Sequence, residues 1–152
     1  MATQLEIERK YLVKFPTSWS DLAEIFDGLV DVKRITQTYL KPEDKEQSGR
    51  VRKTVEGLTG DTNTVYHFNK KKFVEDGVNK EEEFEISDKE YKDYLKKPHP
   101  DKHEVSKTRF VFKFKNQIFE LDVFKGALKG LAILEIELKD KNQKVTLPPF
   151  LS

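Results

Sequence analysis

Apolar and charged residues alternate along residues 4–13, which predicts a strand with two unlike faces. One face carries Glu6, Glu8 and Lys10, whereas the opposite face is apolar apart from Arg9. Two carboxylates spaced two residues apart on a strand point in the same direction, and such a pair suits Mg²⁺ or Mn²⁺. A solvated strand face is the alternative, because antiparallel sheets often have one wet side. Both interpretations stay open from this stretch alone.

The same alternation recurs later in the chain, so the pattern as a whole predicts an antiparallel sheet joined mostly by hairpins. Repeated charged faces made of the same residue types favour a sheet whose polar side faces one shared interior. With the first strand included, eight short strands are expected. The seven later ones are predicted at residues 31–40, 49–55, 64–71, 80–86, 106–114, 117–124 and 132–138.

Two short helices are predicted between the strands. The first begins near Trp19 and ends near Gly28, and its apolar residues at helical spacing are expected to pack on the core. The second begins at Ser87, where Glu90 three residues later completes a capping box.

The polar strand faces together predict a mainly β (α+β) fold, an eight-stranded closed antiparallel β-barrel with a wet, charged lumen. Charges crowded on one side of a sheet are costly unless water, metal ions or a bound polyanion accompany them.

The same alternation assigns residues to the lumen. In the fourth strand, if Tyr66 and Phe68 point outward, then Lys71 points inward and Lys70 points outward. The acidic set, a candidate metal site, is Glu6, Glu8, Glu83, Glu85, Glu120, Asp122, Glu135 and Glu137; the basic set is Lys10, Arg50, Arg52, Lys71, Lys107 and Arg109.

Composition narrows the classes of partner. With 28 basic and 27 acidic residues, the net charge of +1 gives no overall field for nucleic acid. The chain has no cysteine, which excludes disulfides and thiol chemistry. No apolar run approaches the ~18 residues of a membrane span, and no signal peptide is recognisable. We therefore expect a cytoplasmic protein with neither a membrane nor a nucleic-acid partner.

Seven short motifs follow one another along the chain: Glu6 with Glu8 and Lys10, 37–40, Arg50 with Arg52, 83–86, 107–110, 120–124 and 134–137. Together and in this order they resemble the motifs of the CYTH superfamily, the triphosphate tunnel metalloenzymes. Within that family the chain is most similar to the small bacterial inorganic triphosphatases. The resemblance implies an eight-stranded tunnel that binds a linear triphosphate and depends on Mg²⁺ or Mn²⁺.

The resemblance also implies residue roles. Tyr39 and the lysine of the fourth strand resemble a catalytic pair that assists water attack; polarity favours Lys71 over Lys70. The metal-binding carboxylates would be Glu6, Glu8, Asp122, Glu135 and Glu137, and the phosphate-binding cations Lys10, Arg50, Arg52, Lys107 and Arg109.

The expected activity is divalent-metal-dependent hydrolysis of inorganic triphosphate or a related triphosphate such as a nucleoside triphosphate. A class IV adenylyl cyclase or a thiamine triphosphatase would keep the fold and change the chemistry. A non-catalytic binder of nucleotides or phosphorylated ligands is a third alternative.

A single domain over residues 1–152 is expected to lack the C-terminal helix that plugs or gates the tunnel in relatives. This chain stops shortly after Pro148 and Pro149. The lumen is therefore expected either to be open at one end or to be closed by a second subunit, as in a homodimer.

Overall fold

The computed structural model describes residues 2–15, 18–42, 49–60 and 63–149, with side chains from residue 6 onward. Within these ranges the chain forms eight strands, two α-helices and one 3₁₀ turn at Gly126–Leu128. In chain order the elements are β1 (Ala2–Val13), α1 (Trp19–Asp27), β2 (Leu29–Tyr39), β3 (Arg50–Glu56), β4 (Thr64–Glu75), β5 (Val78–Ile86), α2 (Asp88–Tyr94), β6 (Val105–Phe114), β7 (Gln117–Lys125) and β8 (Ala132–Glu137).

The strands close into an antiparallel barrel in the order β1-β5-β4-β3-β2-β6-β7-β8. This confirms the predicted fold. The first strand completes the circle, because residues 2–7 pair with β5 and residues 8–13 pair with β8. Gly77, at the turn between β4 and β5, has a positive φ of 77° that favours glycine. Its carbonyl accepts a 3.1 Å hydrogen bond from the Glu8 amide, which anchors the turn where β1 changes partner.

One apolar layer lies on the outer face of β6, β7 and β8 beneath α1. Phe112 and Phe119 stack there with ring centroids 5.6 Å apart, and Ile25 of α1 is buried against the same cluster. The expectation that the whole apolar stripe of α1 packs on the core is only partly correct. Trp19 is 88 % exposed and Phe26 is 49 % exposed. Ile25 is the residue of α1 that the structure buries, so only a narrow strip of this nine-residue helix is covered by the sheet.

A second apolar layer lies on the outer face of β3, β4 and β5 beneath α2. Tyr91 of α2 packs on Tyr66 with ring centroids 4.7 Å apart. The helix begins as predicted, because the Ser87 side chain accepts from the Glu90 amide and the Glu90 side chain accepts from the Ser87 amide. Apolar residues thus cover the outside of the barrel and leave the charged faces inside.

The last described residues cross the outside of β1. The Arg9 guanidinium donates to the carbonyls of Lys141 and Gln143. Residues 150–152, which include the predicted end of the tunnel domain, lie outside the described part. None of the described helices has both the length and the apolar character needed to cross a membrane.

Candidate active site

The barrel encloses a cavity of about 380 Å³ whose walls carry opposite charges. Inward positions of β1, β5, β7 and β8 supply carboxylates, and inward positions of β3 and β6 supply most of the cations. The acidic lining is Glu6, Glu8, Glu81, Glu83, Glu120, Glu135 and Glu137; the basic lining is Lys10, Arg50, Arg52, Lys71, Lys107 and Arg109; the remainder is Gln37, Tyr39, Val105, Phe124, Leu128, Leu131 and Ile133.

Strand register brings the two ends of the chain together at the acidic wall. Glu8 pairs with Glu137 and Lys10 pairs with Glu135 across β1 and β8. The Lys10 ammonium lies 3.3 Å from Glu8 Oε1 and 3.9 Å from Glu135 Oε1. Burial lowers the pKa of Lys10, but the charges of Glu135 and Glu8 outweigh it, so the pKa rises and the ammonium form is retained.

Lys71 enters the acidic wall from β4. Its Nζ donates to Glu6 Oε1 at 2.8 Å and lies 4.0 Å from Glu8 Oε1 and 3.9 Å from Glu81 Oε2. Burial would raise the pKa of Glu6, yet hydrogen bonds with Glu81, Lys71 and Glu8 lower it to about 2. Burial and a hydrogen bond with Glu6 raise the pKa of Glu81 to about 8 and also raise that of Glu8. Within this cluster Glu6 has the lowest pKa and is the carboxylate that Lys71 contacts most closely.

Asp122 lies behind the basic wall and is fully buried. Its Oδ1 accepts from Arg109 Nε at 2.8 Å, and its Oδ2 accepts from Arg109 Nη2 at 3.0 Å and from Lys107 Nζ at 2.7 Å. Burial would raise the pKa of Asp122, but these hydrogen bonds and charges lower it. Arg109 also contacts Glu120 Oε2 at 2.9 Å. Both oxygens of Asp122 are therefore engaged by cations.

Arg50 and Arg52 face the cavity from β3. With its amide oxygen turned toward Arg52, Gln37 accepts hydrogen bonds from Nε at 3.1 Å and from Nη2 at 2.9 Å. Burial and the charges of Arg50 and Arg109 lower the pKa of Arg52. The Arg50 Nε is buried and has no hydrogen-bond partner among the described residues. A buried donor without an acceptor lowers the stability of the protein, and a bound phosphate oxygen would supply the missing acceptor.

The structure brings most of the predicted site residues to this cavity. Tyr39 lines it, and Lys71 rather than Lys70 is the strand-four lysine that does. Two carboxylates of the predicted acidic set lie elsewhere: Asp122 is behind the wall, and Glu85, although on the inward side of β5, is exposed outside the cavity. The strand pattern predicts a side chain's face but not its depth along the barrel axis.

Several contributors to the site were not predicted. Glu81 lies in the predicted strand 80–86 but outside the predicted acidic set, and Gln37 belongs to the motif 37–40 without a predicted role. Lys102 places its Nζ 4.5 Å from the centre of the Tyr39 ring. An apolar rim also lines the cavity, and the alternation of charges gave no signal for it. The rim consists of Val105, Phe124, Leu128, Leu131 and Ile133.

The acidic wall has the right donor chemistry for a hard divalent cation. Carboxylate oxygens are the ligands that Mg²⁺ and Mn²⁺ prefer, and Glu6, Glu8, Glu135 and Glu137 present them from neighbouring strands. Among the described residues, however, no three carboxylate or imidazole groups lie close enough together to hold one ion as they stand. Lys10 contacts Glu8 and Glu135 instead, and Lys71 contacts Glu6. The carboxylates therefore fit such a cation once Lys10 and Lys71 have moved away from them.

Residues 4–147 match the sequence model of the CYTH domain family. The inorganic triphosphatase NE1496 is 27 % identical, with a TM-score of 0.52 over 96 % of this chain and 83 % of that chain. A putative adenylate cyclase from Bacillus halodurans is 20 % identical, with a TM-score of 0.63 over 93 % and 84 %. HpAC1 from Hippeastrum, described as a putative adenylyl cyclase with a dominant triphosphatase activity, is 14 % identical, with a TM-score of 0.57 over 89 % and 80 %. The last two show the shared fold. No curated protein sequence matches this chain.

Proposed function

Since the chain belongs to the CYTH domain family, we propose that it hydrolyses the terminal phosphoanhydride of inorganic triphosphate or a related triphosphate, with Mg²⁺ or Mn²⁺. The observation that carries this proposal is the cavity itself, in which a wall of cations faces a wall of carboxylates. A linear polyanion would satisfy the cations, and the carboxylates would hold a divalent ion. The 27 % identity to an inorganic triphosphatase supports the same reaction class.

The cations would bind and extend the substrate. Arg50 and Arg52 are adjacent inward residues of β3, and each guanidinium can donate two hydrogen bonds to phosphate oxygens. Lys107 and Arg109 lie on the same basic wall, on β6, where Asp122 holds them. Such positioning and charge neutralisation supply most of the catalysis in phosphoryl transfer. The contacts of Asp122 favour this supporting role over the metal-ligand role that the family resemblance implies.

The carboxylates Glu6, Glu8, Glu135 and Glu137 would hold the divalent ion. When bound, the ion neutralises phosphate oxygens and helps to activate water. Water would attack the terminal phosphorus, the bond to the bridging oxygen would break, and orthophosphate and pyrophosphate would leave. Tyr39 and Lys71 would orient the water, as the family resemblance implies. The substrate is a small molecule and not a nucleic acid, because the clustered cations line an interior cavity.

One observation favours a second candidate, a triphosphate that carries an organic group. The apolar rim and Tyr39 line the same cavity, where an aromatic ring or nucleobase could pack. Bare triphosphate has no apolar part and would leave this rim unused. Hydrolysis of a thiamine-type or nucleoside triphosphate, or cyclisation of ATP, would use it.

The test is a substrate comparison. The protein is incubated with tripolyphosphate, ATP and thiamine triphosphate at equal concentrations with Mg²⁺ or Mn²⁺, and released phosphate and cyclic AMP are measured. Metal-dependent phosphate release from tripolyphosphate would establish the main proposal, and preference for an organic ester would establish the second. Cyclic AMP as the main product would identify a cyclase. Tight binding without turnover under any metal would identify a binder and refute hydrolysis.

A further inference from the structure

The Lys71 ammonium occupies the centre of the acidic wall. It donates to Glu6 at 2.8 Å and lies within 4.0 Å of Glu8 and Glu81, so that three carboxylates from two other strands surround one cation. The ammonium is itself the cation of this group. No carboxylate or imidazole trio among the described residues is arranged to hold a metal ion as it stands.

The position conflicts with the role that the proposed function gives to these carboxylates. A divalent ion bound to Glu6 and Glu8 would take the lone pairs that now face Lys71, and two cations a few ångströms apart in a partly buried site repel strongly. The ammonium and the metal ion therefore exclude each other from the same oxygens. Lys71 is attached by a flexible four-carbon stem and its side chain is 27 % exposed, so it can leave without unfolding the strand.

We propose that Lys71 is an exchangeable internal counter-ion, which pairs with Glu6 beside Glu8 and Glu81 in the metal-free protein and is displaced when a divalent ion binds. The inference rests on the proposed metal-dependent function. Once Lys71 has left Glu6, its ammonium group is free to approach a phosphate oxygen. The lysine would be free for the substrate only after it has left Glu6, so the expected order of binding is metal first and triphosphate second.

This role differs from that of the other lumen cations. Lys107 and Arg109 are held by Asp122, which is fully buried and not part of the acidic wall, so metal binding does not release them. Arg50 and Arg52 line the same cavity but form no ion pair within 4.0 Å with a described carboxylate of the cluster around Lys71. Lys10 lies closer to Glu8, at 3.3 Å, than Lys71 does, but its second contact is with Glu135 and not with Glu6, and 53 % of its side chain is exposed.

The test is the affinity for Mn²⁺ in the absence of any phosphate compound, measured by electron paramagnetic resonance of free Mn²⁺ at pH 8. Lys71→Met removes the competing ammonium and keeps the length of the stem. We expect Mn²⁺ to bind Lys71→Met about tenfold or more tightly than wild type, because a hydrogen bond between charged groups no longer has to be broken. Lys71→Arg keeps a cation and should not show the gain.

Two control variants separate competition from a general effect of charge. Lys70→Met removes the neighbouring lysine, which does not line the cavity, and should leave Mn²⁺ affinity unchanged. Arg50→Met removes a cation from the same cavity that does not touch the acidic group, and should raise affinity much less than Lys71→Met. An equal gain in Arg50→Met, or no gain in Lys71→Met, would overturn the inference.

The outcomes also distinguish this inference from the proposed function. If wild type binds Mn²⁺ and shows metal-dependent turnover but Lys71→Met gains no affinity, only the counter-ion role fails. If neither wild type nor Lys71→Met binds Mn²⁺, both this inference and the metal-dependent function fail. Binding by Lys71→Met alone would mean that Mn²⁺ does not displace Lys71 in the wild type, which would refute the exchange and the metal-dependent function.

Discussion

Glu8 and Glu137 lie directly opposite each other on β1 and β8, the first and last strands of the barrel. Both line the cavity, so two carboxylates from opposite ends of the chain share one wall. Like charges placed opposite each other on neighbouring strands are destabilising. Burial also raises the pKa of Glu8, which shows that its charged form is disfavoured here. A pair kept at such a cost is typical of a functional site.

The first prediction concerns this pair. Glu8→Gln and Glu137→Gln should each abolish turnover, because each removes a proposed oxygen ligand of the metal ion. Unfolding in urea without metal should show unchanged or slightly increased stability, since repulsion is relieved. The double variant should be no worse than either single one, because both changes break one site. Full activity of either single variant would refute the metal site.

Arg52 tests the basic wall. Arg52→Ala should weaken the binding of tripolyphosphate by about 1.5–3 kcal/mol, the value of a hydrogen bond to a charged group. Isothermal titration calorimetry measures this loss, and circular dichroism should show an intact fold because Arg52 faces a polar cavity. Arg34→Ala is a matched control, since this arginine does not line the cavity and contacts the carbonyl of Gly57. Loss of the fold in Arg52→Ala alone would mean that β3 is assigned inside out.

Phe112 tests the outer layer. It is 1 % exposed and stacks on Phe119, so Phe112→Ala should destabilise the protein by about 3–5 kcal/mol in urea unfolding. Phe73, which is 62 % exposed, provides the control, and Phe73→Ala should change stability by less than about 0.5 kcal/mol. Equal stability of the two variants would contradict the assignment of faces in β6.

Asp122 gives a prediction about pH. Its pKa is below the usual value, so its stabilising contribution is complete above about pH 4 and is lost as the pH falls through the lower folded pKa. Asp122→Asn should lower stability at pH 7 by about 3–5 kcal/mol, because two buried cations lose their partner. It should also lose less stability than wild type between about pH 5 and pH 2. Parallel stability curves for the two proteins would rule out this role.

The same variant addresses the metal. If Asp122 supports Lys107 and Arg109, Asp122→Asn should bind Mn²⁺ with nearly the wild-type affinity and bind tripolyphosphate with altered affinity. If Asp122 were instead a metal ligand, Asp122→Asn would bind Mn²⁺ much more weakly than wild type. Glu137→Gln serves as the comparison, since that change should weaken Mn²⁺ binding.

The sequence predicted which face of a strand each side chain lies on better than it predicted which strands pair with each other. Alternation placed Lys71 inside and Lys70 outside, and the Ser87 capping box located α2, because both signals are local. That β1 divides its pairing between β5 and β8 depends on barrel closure, which no local pattern contains. The burial of Asp122, the contact of Lys71 with Glu6 and the exposure of Trp19 depend on depth and long-range packing in the same way.

Phosphate release from tripolyphosphate by wild-type protein, with Mg²⁺ and then with excess EDTA, tests the central claim most directly. The account predicts orthophosphate and pyrophosphate in equal amounts with Mg²⁺, and none after chelation. Release that continues unchanged in EDTA, or no release with either Mg²⁺ or Mn²⁺ from a correctly folded protein, would contradict it.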